Sequence, residues 1–385
     1  MTLKVARRAS IPPFIAMEML RAANARAAAG ERVLHLELGQ PDGGAPQAVI
    51  EAATAALKSH RLGYTEALGI PPLRAAIAAH YRRSYSLDLD PGRVVVTTGS
   101  SGAFMLGFLA AFEAGDRIAL AAPGYPAYRN ILLALDLEPV DLAVGPETHF
   151  QPTPALLDGV EGGLDGLILA SPSNPTGSML DRRALTALVD YCRDRGIRLV
   201  SDEIYHGIVY GAETVSAASL DETAIVVNSF SKYFSMTGWR LGWMLVPADL
   251  ARAVECLAQN LFISAPTLPQ IAAEAVFGCG PELDARVAVY RRNRDLLLAE
   301  LPKAGFTRFA PPDGAFYLYA DIGHLTDDSE GFCRRMLAES GVATTPGVDF
   351  DRRHGHDCLR FSYAGSTAEM AEAAERLIAW RQRNG

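Results

Sequence analysis

Residues 229–243 read SFSKYFSMTGWRLGW, and two cations in this stretch, Lys232 and Arg240, stand eight residues apart with no acidic residue between them. The stretch is too rich in aromatic and glycine residues to be a solvated charged face. The whole chain carries a formal net charge of -8 at pH 7 and has no basic run. Because a cation in an apolar setting needs an anionic partner, the two residues predict a small local anion, and nucleic acid is not expected as a partner.

Short β-branched runs around this stretch alternate with longer helical patterns over most of the chain. The runs are RVVVTT (93–98), RIALAA (117–122), DGLILAS (165–171), IRLVSD (197–202), AIVVNS (224–229) and LGWMLV (241–246). This alternation predicts an α/β fold with a mostly parallel sheet covered by helices. In such sheets a ligand lies beyond the carboxyl ends of the strands, so the polar residues there are candidate site residues.

The pattern changes near Pro281, where a long amphipathic helix at about 281–301 is followed by mixed strand and helix signals. We predict a large domain formed by residues 46–280 and a smaller α+β domain formed by residues 1–45 and 281–385. The first 45 residues, an Ala-rich helix followed by VLHLELGQPD, are expected to join the smaller domain from the other end of the chain.

The composition is that of an ordinary soluble globular protein, with 385 residues, 49% hydrophobic and 21% charged. Five scattered cysteines with no C-x-x-C pair favour free thiols in a reducing compartment. Two prolines and Glu18 interrupt the first twenty residues where a signal peptide needs an apolar core, and no run approaches the ~20 apolar residues of a membrane span. We therefore predict a cytoplasmic protein.

The segment DRRHGHDCLR (351–360) holds histidine, aspartate and cysteine residues that invite a metal-site interpretation. These residues are too dense in one loop, and no distant partner completes a tetrahedral set, so no metal is predicted. No G-x-G-x-x-G follows a strand and no G-x-S-x-G occurs, which argues against a dinucleotide site and a nucleophile elbow.

The turn TTGSSGAF (97–104) leads from a predicted strand into a helix, and free N–H groups at a helix N-terminus bind anions. Alone, such a turn is more often a plain strand–helix connection. Ser229, Ser231 and Arg240 add two hydroxyls and a guanidinium that can bind two phosphate oxygens. Together these features predict a phosphate site.

Three further features have both a structural and a functional interpretation. Asp202 ends a strand, where a carboxylate often caps a helix, but it could instead hold a proton on a ligand's ring nitrogen. SPSNPTG (171–177) is typical of a turn, and Arg360 in the apolar stretch LRFSYA needs an anionic partner. One ligand with a phosphate, a ring nitrogen and an aldehyde for Lys232 accounts for all of them, and pyridoxal phosphate has these groups.

The chain resembles the class I/II aminotransferases, which are fold-type I pyridoxal-phosphate enzymes of the aspartate aminotransferase fold. The resemblance covers nearly the whole length. It rests on LELGQPD, YTEALGIPPLRAAI, TTGSSGA, PGYPAY, SPSNPTG, SDEIYHGIVY, SFSKYFSMTGWRLGW and RFSYA, in the family's order. The S-F-S-K motif with an arginine eight residues later is highly specific.

The resemblance implies a role for each matching residue. Lys232 corresponds to the lysine that forms a Schiff base with pyridoxal phosphate and then moves the substrate proton, and Asp202 to the carboxylate that keeps the ring nitrogen protonated. Tyr125 corresponds to the aromatic that stacks on the ring. The phenolic oxygen is bonded by Asn174 and Tyr205, the phosphate is bound by Ser100, Ser101, Ser229 and Arg240, and the substrate carboxylate is bound by Arg360, Asn174 and the backbone at Gly39.

Two further matches imply a homodimer with shared active sites. Tyr64 corresponds to a tyrosine that reaches the phosphate of the neighbouring subunit's cofactor. ISAPT (263–267) resembles the interface loop near that shared site.

The implied reaction moves the amino group of an L-amino acid to a 2-oxo acid, commonly 2-oxoglutarate, through pyridoxamine phosphate and with ping-pong kinetics. C–S β-lyases, cyclopropane-carboxylate synthases and some decarboxylating or racemising enzymes share the fold and most of these residues, and remain an alternative. A third alternative is a cofactor-binding regulator. Such regulators carry an N-terminal DNA-binding domain, whereas this acidic sequence is expected to begin with the small domain.

Position 101 bears on substrate choice. In the bacterial branch that this chain most resembles, a lysine at this position often binds a second substrate carboxylate, and here the residue is Ser101. Burying a carboxylate without a cation is costly. We therefore expect a donor with a neutral side chain, unless another arginine enters the pocket, and the sequence does not name the amino acid.

Overall fold

A seven-stranded sheet spans residues 94–245 of the computed structural model, which describes residues 3–384. The strands of the chain are β1 (Leu34–His35), β2 (Val94–Thr97), β3 (Arg117–Ala122), β4 (Glu138–Ala143), β5 (Gly166–Ala170), β6 (Arg198–Asp202), β7 (Ile225–Ser229), β8 (Gly242–Leu245), β9 (Arg308–Phe309), β10 (Tyr317–Asp321), β11 (Val342–Ala343), β12 (Thr345–Pro346) and β13 (Cys358–Ser362). The helices are α1 (Ile15–Ala28), α2 (Gln47–Ser59), α3 (Pro71–Tyr85), α4 (Gly99–Ala111), α5 (Pro126–Ala134), α6 (Pro154–Asp158), α7 (Arg182–Arg195), α8 (Ala251–Leu261), α9 (Thr267–Ala273), α10 (Gly280–Glu300), α11 (Ser329–Ser340) and α12 (Thr367–Asn384).

The sheet order is β2-β8-β7-β6-β5-β3-β4. Strand β8 runs antiparallel to β2 and β7, while the other neighbouring pairs are parallel. Apolar clusters cover both faces of the sheet, because its inner strands are buried on both sides and read as continuous Val, Ile and Leu runs. The predicted α/β fold with a mostly parallel, helix-covered sheet is confirmed.

One edge of this sheet collects the polar strand ends. Because β8 is antiparallel to both of its neighbours, β2 has the same direction as β7, so the carboxyl ends of β2, β3, β5, β6 and β7 meet where β8 begins. Asp202 ends β6 and Ser229 ends β7, while Arg240 precedes β8. The topology therefore brings residues that are far apart in sequence to one place.

The C-terminal part forms a four-stranded antiparallel sheet with the order β12-β13-β10-β9, beside a parallel pair formed by β1 and β11. Met19 and Leu34 share an apolar core with Phe332 and Leu377, so the two ends of the chain pack together. The division of the chain at residues 45 and 280 stays a prediction.

Two features of the large sheet were not predicted from sequence. Strand β4 lies at the edge of the sheet, and of its residues EPVDLA only Leu142 is buried, so it lacks the apolar run that identifies inner strands. The reversed direction of β8 is also absent from its residue pattern. Within residues 3–384, no helix has the combination of length and apolarity needed to cross a membrane.

Candidate active site

A cavity of about 170 Å³ opens at the edge of the sheet where the polar strand ends meet. It is lined by all the predicted site residues except Tyr64, namely Gly39, Ser100, Ser101, Tyr125, Asn174, Asp202, Tyr205, Ser229, Ser231, Lys232, Arg240 and Arg360. The sequence prediction therefore identified a set of residues that the fold brings together.

The first turn of α4 and the Arg240 side chain form one end of the cavity, which we call the anion end. Gly99 has a φ of +70°, and a Cβ there would lie 2.6 Å from Arg240 Nη2, so the guanidinium lies directly against the helix N-terminus. Gly242 leaves room on the other side, because its Cβ would lie 2.9 Å from Ser100 N. Free N–H groups, a guanidinium and serine hydroxyls make this end suited to a phosphate group.

Asp202 lies at the buried floor of the cavity, 3% exposed. The Ile204 N–H donates to Asp202 Oδ1 at 3.1 Å, and the Tyr128 hydroxyl donates to Oδ2. Burial raises the pKa of Asp202 to about 6, while these hydrogen bonds and the Lys232 charge oppose that shift. The carboxylate thus both shapes the turn after β6 and presents a charge to the cavity.

Lys232 projects between the floor and the anion end. Its Nζ donates to the carbonyl oxygen of Gly39 at 2.7 Å and lies 5.7 Å from the Tyr205 ring centroid. Burial, followed by the positive charges of Arg360 and Arg240, lowers the pKa of Lys232 to about 8, and Asp202 partly offsets this. The amine is therefore neutral in a far larger fraction of molecules than an exposed lysine would be.

Arg360 forms the opposite end, which we call the clamp end, and is 2% exposed. Its Nη1 donates to Asn174 Oδ1 at 2.8 Å, and its Nη2 donates to Thr345 Oγ1 at 3.2 Å and to the Glu37 carbonyl oxygen. The guanidinium stacks 4.4 Å from the Tyr317 ring centroid. All of these oxygen partners are neutral, so the buried charge remains available to a ligand carboxylate.

Several residues of the cavity were not predicted from the sequence. Tyr128 lies one helical turn after Tyr125 on α5, and this i, i+3 spacing was the only signal available for it. Tyr317 lines the cavity beside Tyr205, and its alternation with Tyr319 on β10 reads as ordinary strand packing. The apolar residues Phe14, Ala16 and Leu38 also line the cavity.

Tyr64 lies outside this cavity, on a surface hollow of about 1430 Å³. Its side chain is 84% exposed. The neighbouring Gly63 carbonyl accepts a hydrogen bond from Thr267 Oγ1 at 2.6 Å, so the Tyr64 loop is tied to the ISAPT segment. Thr98 also lines the hollow, and it directly precedes the first residue of α4. The hollow therefore borders the anion end.

The segment 351–360 is organised by Asp351, whose Oδ1 accepts from the backbone N–H groups of Arg353 and His354 at 2.8 and 3.0 Å. His354 and His356 are exposed. Across the described residues, no group of three or more His, Cys, Asp or Glu side chains is arranged to hold a metal ion.

Comparison with known proteins identifies the family. Residues 31–377 match the family model of aminotransferase class I and II. The chain is a class I/II aminotransferase. It is 50% identical over 384 residues, 99% of each chain, to the valine–pyruvate aminotransferase of Mycobacterium tuberculosis.

Solved structures agree with this assignment. The aminotransferase superposes on the crystal structure of an aminotransferase from Mycobacterium tuberculosis with a TM-score of 0.98 at 49% identity, covering 100% of both chains. The TM-score against the aspartate aminotransferase from Thermus thermophilus with maleate is 0.91, at 31% identity over 98% of this chain and 100% of the other. The fold is therefore that of the fold-type I enzymes, and the cofactor is pyridoxal 5'-phosphate.

The cavity fits this cofactor. The anion end matches its phosphate, the buried Asp202 matches its ring nitrogen, and the amine of Lys232, with its lowered pKa, matches its aldehyde. Glycine at positions 99 and 242 lets the Arg240 guanidinium and the start of β8 lie directly against the N-terminus of α4. The aminotransferase thus has a donor or acceptor suited to each polar group of the cofactor.

Proposed function

We propose that this aminotransferase moves the amino group of a small neutral L-amino acid to pyruvate. The observation that carries the proposal is the number of cations in the cavity. Among the described residues, Lys232, Arg240 and Arg360 are the cationic side chains that line it. The cofactor aldehyde, its phosphate and the substrate α-carboxylate each require one of them, which leaves none for a second carboxylate.

Each site residue has an assigned role. Bound pyridoxal phosphate supplies the electron sink that lets the substrate lose its α-proton. Arg360 and Asn174 orient the α-carboxylate, with the Gly39 backbone as a further contact. Arg240, Ser100, Ser101 and Ser229 hold the phosphate, and Tyr125 covers the ring.

Proton handling is assigned to three groups. Lys232 takes the proton from the substrate α-carbon and returns it, and its lowered pKa gives the amine a larger neutral, proton-accepting fraction than an exposed lysine has. Asp202 holds the proton on the ring nitrogen. Tyr205 donates a hydrogen bond to the phenolic oxygen, and Asn174 is the second group that bonds this oxygen. Buried surroundings strengthen each of these hydrogen bonds.

The acceptor follows from the same geometry. In ping-pong transfer the donor and the acceptor occupy one site in turn, so a second carboxylate is as poorly matched in 2-oxoglutarate as in aspartate. The comparisons do not confirm the expected 2-oxoglutarate, and the name of the 50% identical relative supports pyruvate. Valine, the donor in that name, has a neutral branched side chain.

The wall near the start of α1 suits such a side chain. Phe14, Ala16 and Leu38 line the cavity there. Asp349 anchors this wall by accepting hydrogen bonds from Ile15 N at 2.9 Å and Ala16 N at 3.1 Å. A fixed apolar surface favours aliphatic over charged substrates.

A substrate panel tests the proposal. Valine, alanine, methionine, phenylalanine and aspartate are each paired with pyruvate, 2-oxoglutarate and oxaloacetate, except for the two identity pairs alanine–pyruvate and aspartate–oxaloacetate, and kcat/KM is compared. A neutral donor with pyruvate should lead. If aspartate exceeds every neutral donor by more than ~100-fold, or about 2.7 kcal/mol of transition-state discrimination, a second cation enters the site and the proposal fails.

A single-turnover experiment separates transfer from elimination. With a saturating amino donor and no acceptor, transfer releases about one oxo acid per active site and no ammonia. With a donor that carries a leaving group on its β-carbon, a C–S β-lyase or another eliminating enzyme would continue to release oxo acid and ammonia.

The functional unit is proposed to be a homodimer in the cytoplasm. The hollow around Tyr64 borders the anion end, and Leu62 and Phe262 line it beside the exposed tyrosine, which supports a second copy as its occupant. Five free cysteines support the compartment.

Mixing inactive subunits tests the dimer. Tyr64→Ala and Lys232→Ala proteins should regain activity when their subunits exchange, because one site of each mixed dimer then keeps both residues. A monomer that is fully active at assay dilution would contradict the shared site.

A further inference from the structure

The Tyr317 side chain contacts three parts of the active site at once. Its hydroxyl oxygen lies 2.7 Å from the Tyr205 hydroxyl oxygen, and its ring lies under the Arg360 guanidinium at 4.4 Å. A Cβ on Gly39 would lie 1.6 Å from the Tyr317 hydroxyl oxygen, so this hydroxyl passes directly against the Gly39 backbone. Tyr317 itself is 1% exposed.

The hydrogen bond between the two hydroxyls has a preferred direction once the site is in use. A tyrosine hydroxyl has one proton to donate and lone pairs that accept. If Tyr205 donates its proton to the phenolic oxygen of the cofactor, it can only accept from Tyr317. Tyr317 then donates to Tyr205, and Tyr205 donates into the cavity.

We infer that Tyr317 is a positioning residue that directs the Tyr205 proton toward the cofactor and strengthens that hydrogen bond. The inference rests on the proposed role of Tyr205. A hydroxyl that accepts one hydrogen bond becomes a better donor in the next, by roughly 10–30% per bond. Gly39 contributes by leaving the space that the Tyr317 hydroxyl occupies.

The buried setting makes this effect specific to the hydroxyl group. Tyr205 and Tyr317 both lie in the core formed by the C-terminal sheet, and their rings meet edge to face at 5.7 Å. Tyr317→Phe keeps this ring contact and the stacking under Arg360, and it removes only one oxygen. If Tyr317 acted only through the packing of its ring, Tyr317→Phe would behave like the wild type.

The pH at which the bound cofactor changes its visible absorption is the direct readout. Tyr205 competes for the phenolic oxygen with the proton on the nitrogen of Lys232. A weaker Tyr205 hydrogen bond leaves the proton on the Lys232 nitrogen more firmly held. The midpoint pH of the absorption change should therefore rise. We expect Tyr317→Phe to raise the midpoint by about half a pH unit and to lower kcat about threefold. The KM for the amino donor should stay unchanged, because the ring still supports Arg360.

Tyr290→Phe is the matched control. Its hydroxyl is buried and finds no hydrogen-bond partner within residues 3–384, and its ring lies 5.5 Å from that of Phe316. This variant also loses one buried hydroxyl from the same core, and its absorption midpoint should match that of the wild-type holoenzyme.

A double-mutant cycle with Tyr205→Phe completes the test. If Tyr317 acts through Tyr205, then Tyr317→Phe should shift the midpoint in the wild type and not in the Tyr205→Phe background. Equal shifts in both backgrounds, or no shift beyond that of Tyr290→Phe, would overturn the inference. A rise in KM with an unchanged midpoint would also overturn it, because Tyr317 would then act on the carboxylate clamp. If Tyr205→Phe alone leaves the midpoint unchanged, the proposed role of Tyr205 fails instead.

Discussion

The anion end and the clamp end of the cavity are built in different ways. The anion end is formed by strand ends of one sheet, and Arg240 remains exposed on the single chain. At the clamp end Arg360 is buried, and its partner Glu37 lies 323 residues away in sequence. The phosphate site thus forms within one sheet, whereas the carboxylate site requires segments from both termini and from the large sheet.

Lys232, which lies between the two ends, gives the largest expected effect. Lys232→Ala leaves both ends intact and removes the base, so kcat should fall by ~10²–10⁴. Lys303→Ala is the control, because this exposed lysine lies outside the cavity and its ion-pair partner within residues 3–384 is Glu300, at 2.7 Å. Near-normal turnover of Lys232→Ala would show that binding at the two ends is sufficient for catalysis.

Asp202→Asn comes next, because it changes the charge under the ring while both ends keep their residues. A neutral amide does not favour the protonated ring nitrogen, so we expect kcat to fall about 100-fold. Cofactor affinity, measured by equilibrium titration, should fall less than kcat does. Parallel losses would mean that Asp202 serves mainly to shape the turn at Ile204.

A matched pair of arginine substitutions separates the two ends. Arg360→Lys should lower kcat/KM for the amino donor by about 10- to 100-fold, the loss of one charged hydrogen bond, with cofactor affinity unchanged. Arg240→Lys should weaken cofactor binding by a similar factor and leave KM unchanged in the saturated enzyme. If either variant changed both quantities, the ends would act as one unit.

The smallest expected effect is the pH dependence of cofactor capture by the apoenzyme. Capture needs the neutral amine, and with its pKa lowered to about 8 the neutral fraction of Lys232 rises about fivefold from pH 7 to pH 8 and levels off above pH 9. Stopped-flow absorbance would follow the rate. A continued tenfold rise per pH unit up to pH 10 would mean that the cavity does not lower this pKa.

The contrast between the two ends also explains what could be predicted from sequence. The run RIALAA coincides with β3, and the strand-end residues Asp202 and Ser229 could be located because buried parallel strands have a clear pattern. Arg360 was found from its motif, but its contact with the Glu37 backbone depends on long-range packing that no local pattern encodes.

Tyrosines show the same limit. Tyr317 reads as a core strand residue, and only the fold places its hydroxyl at Tyr205. The direction of β8 was also hidden, since apolar residues look alike in parallel and antiparallel strands.

That antiparallel strand has a consequence for how the sequence can change. Strands β7 and β8 form a hairpin closed by the pair Ser229 and Gly242, and its loop is fixed internally by hydrogen bonds such as Thr237 Oγ1 to the Ser231 carbonyl at 2.9 Å. After Ser229 the chain leaves the edge of the sheet where the polar strand ends meet, and it returns to that edge at Arg240. The interval between Lys232 and Arg240 therefore has a fixed length, so an insertion or deletion of one residue within it would separate the amine from the phosphate site.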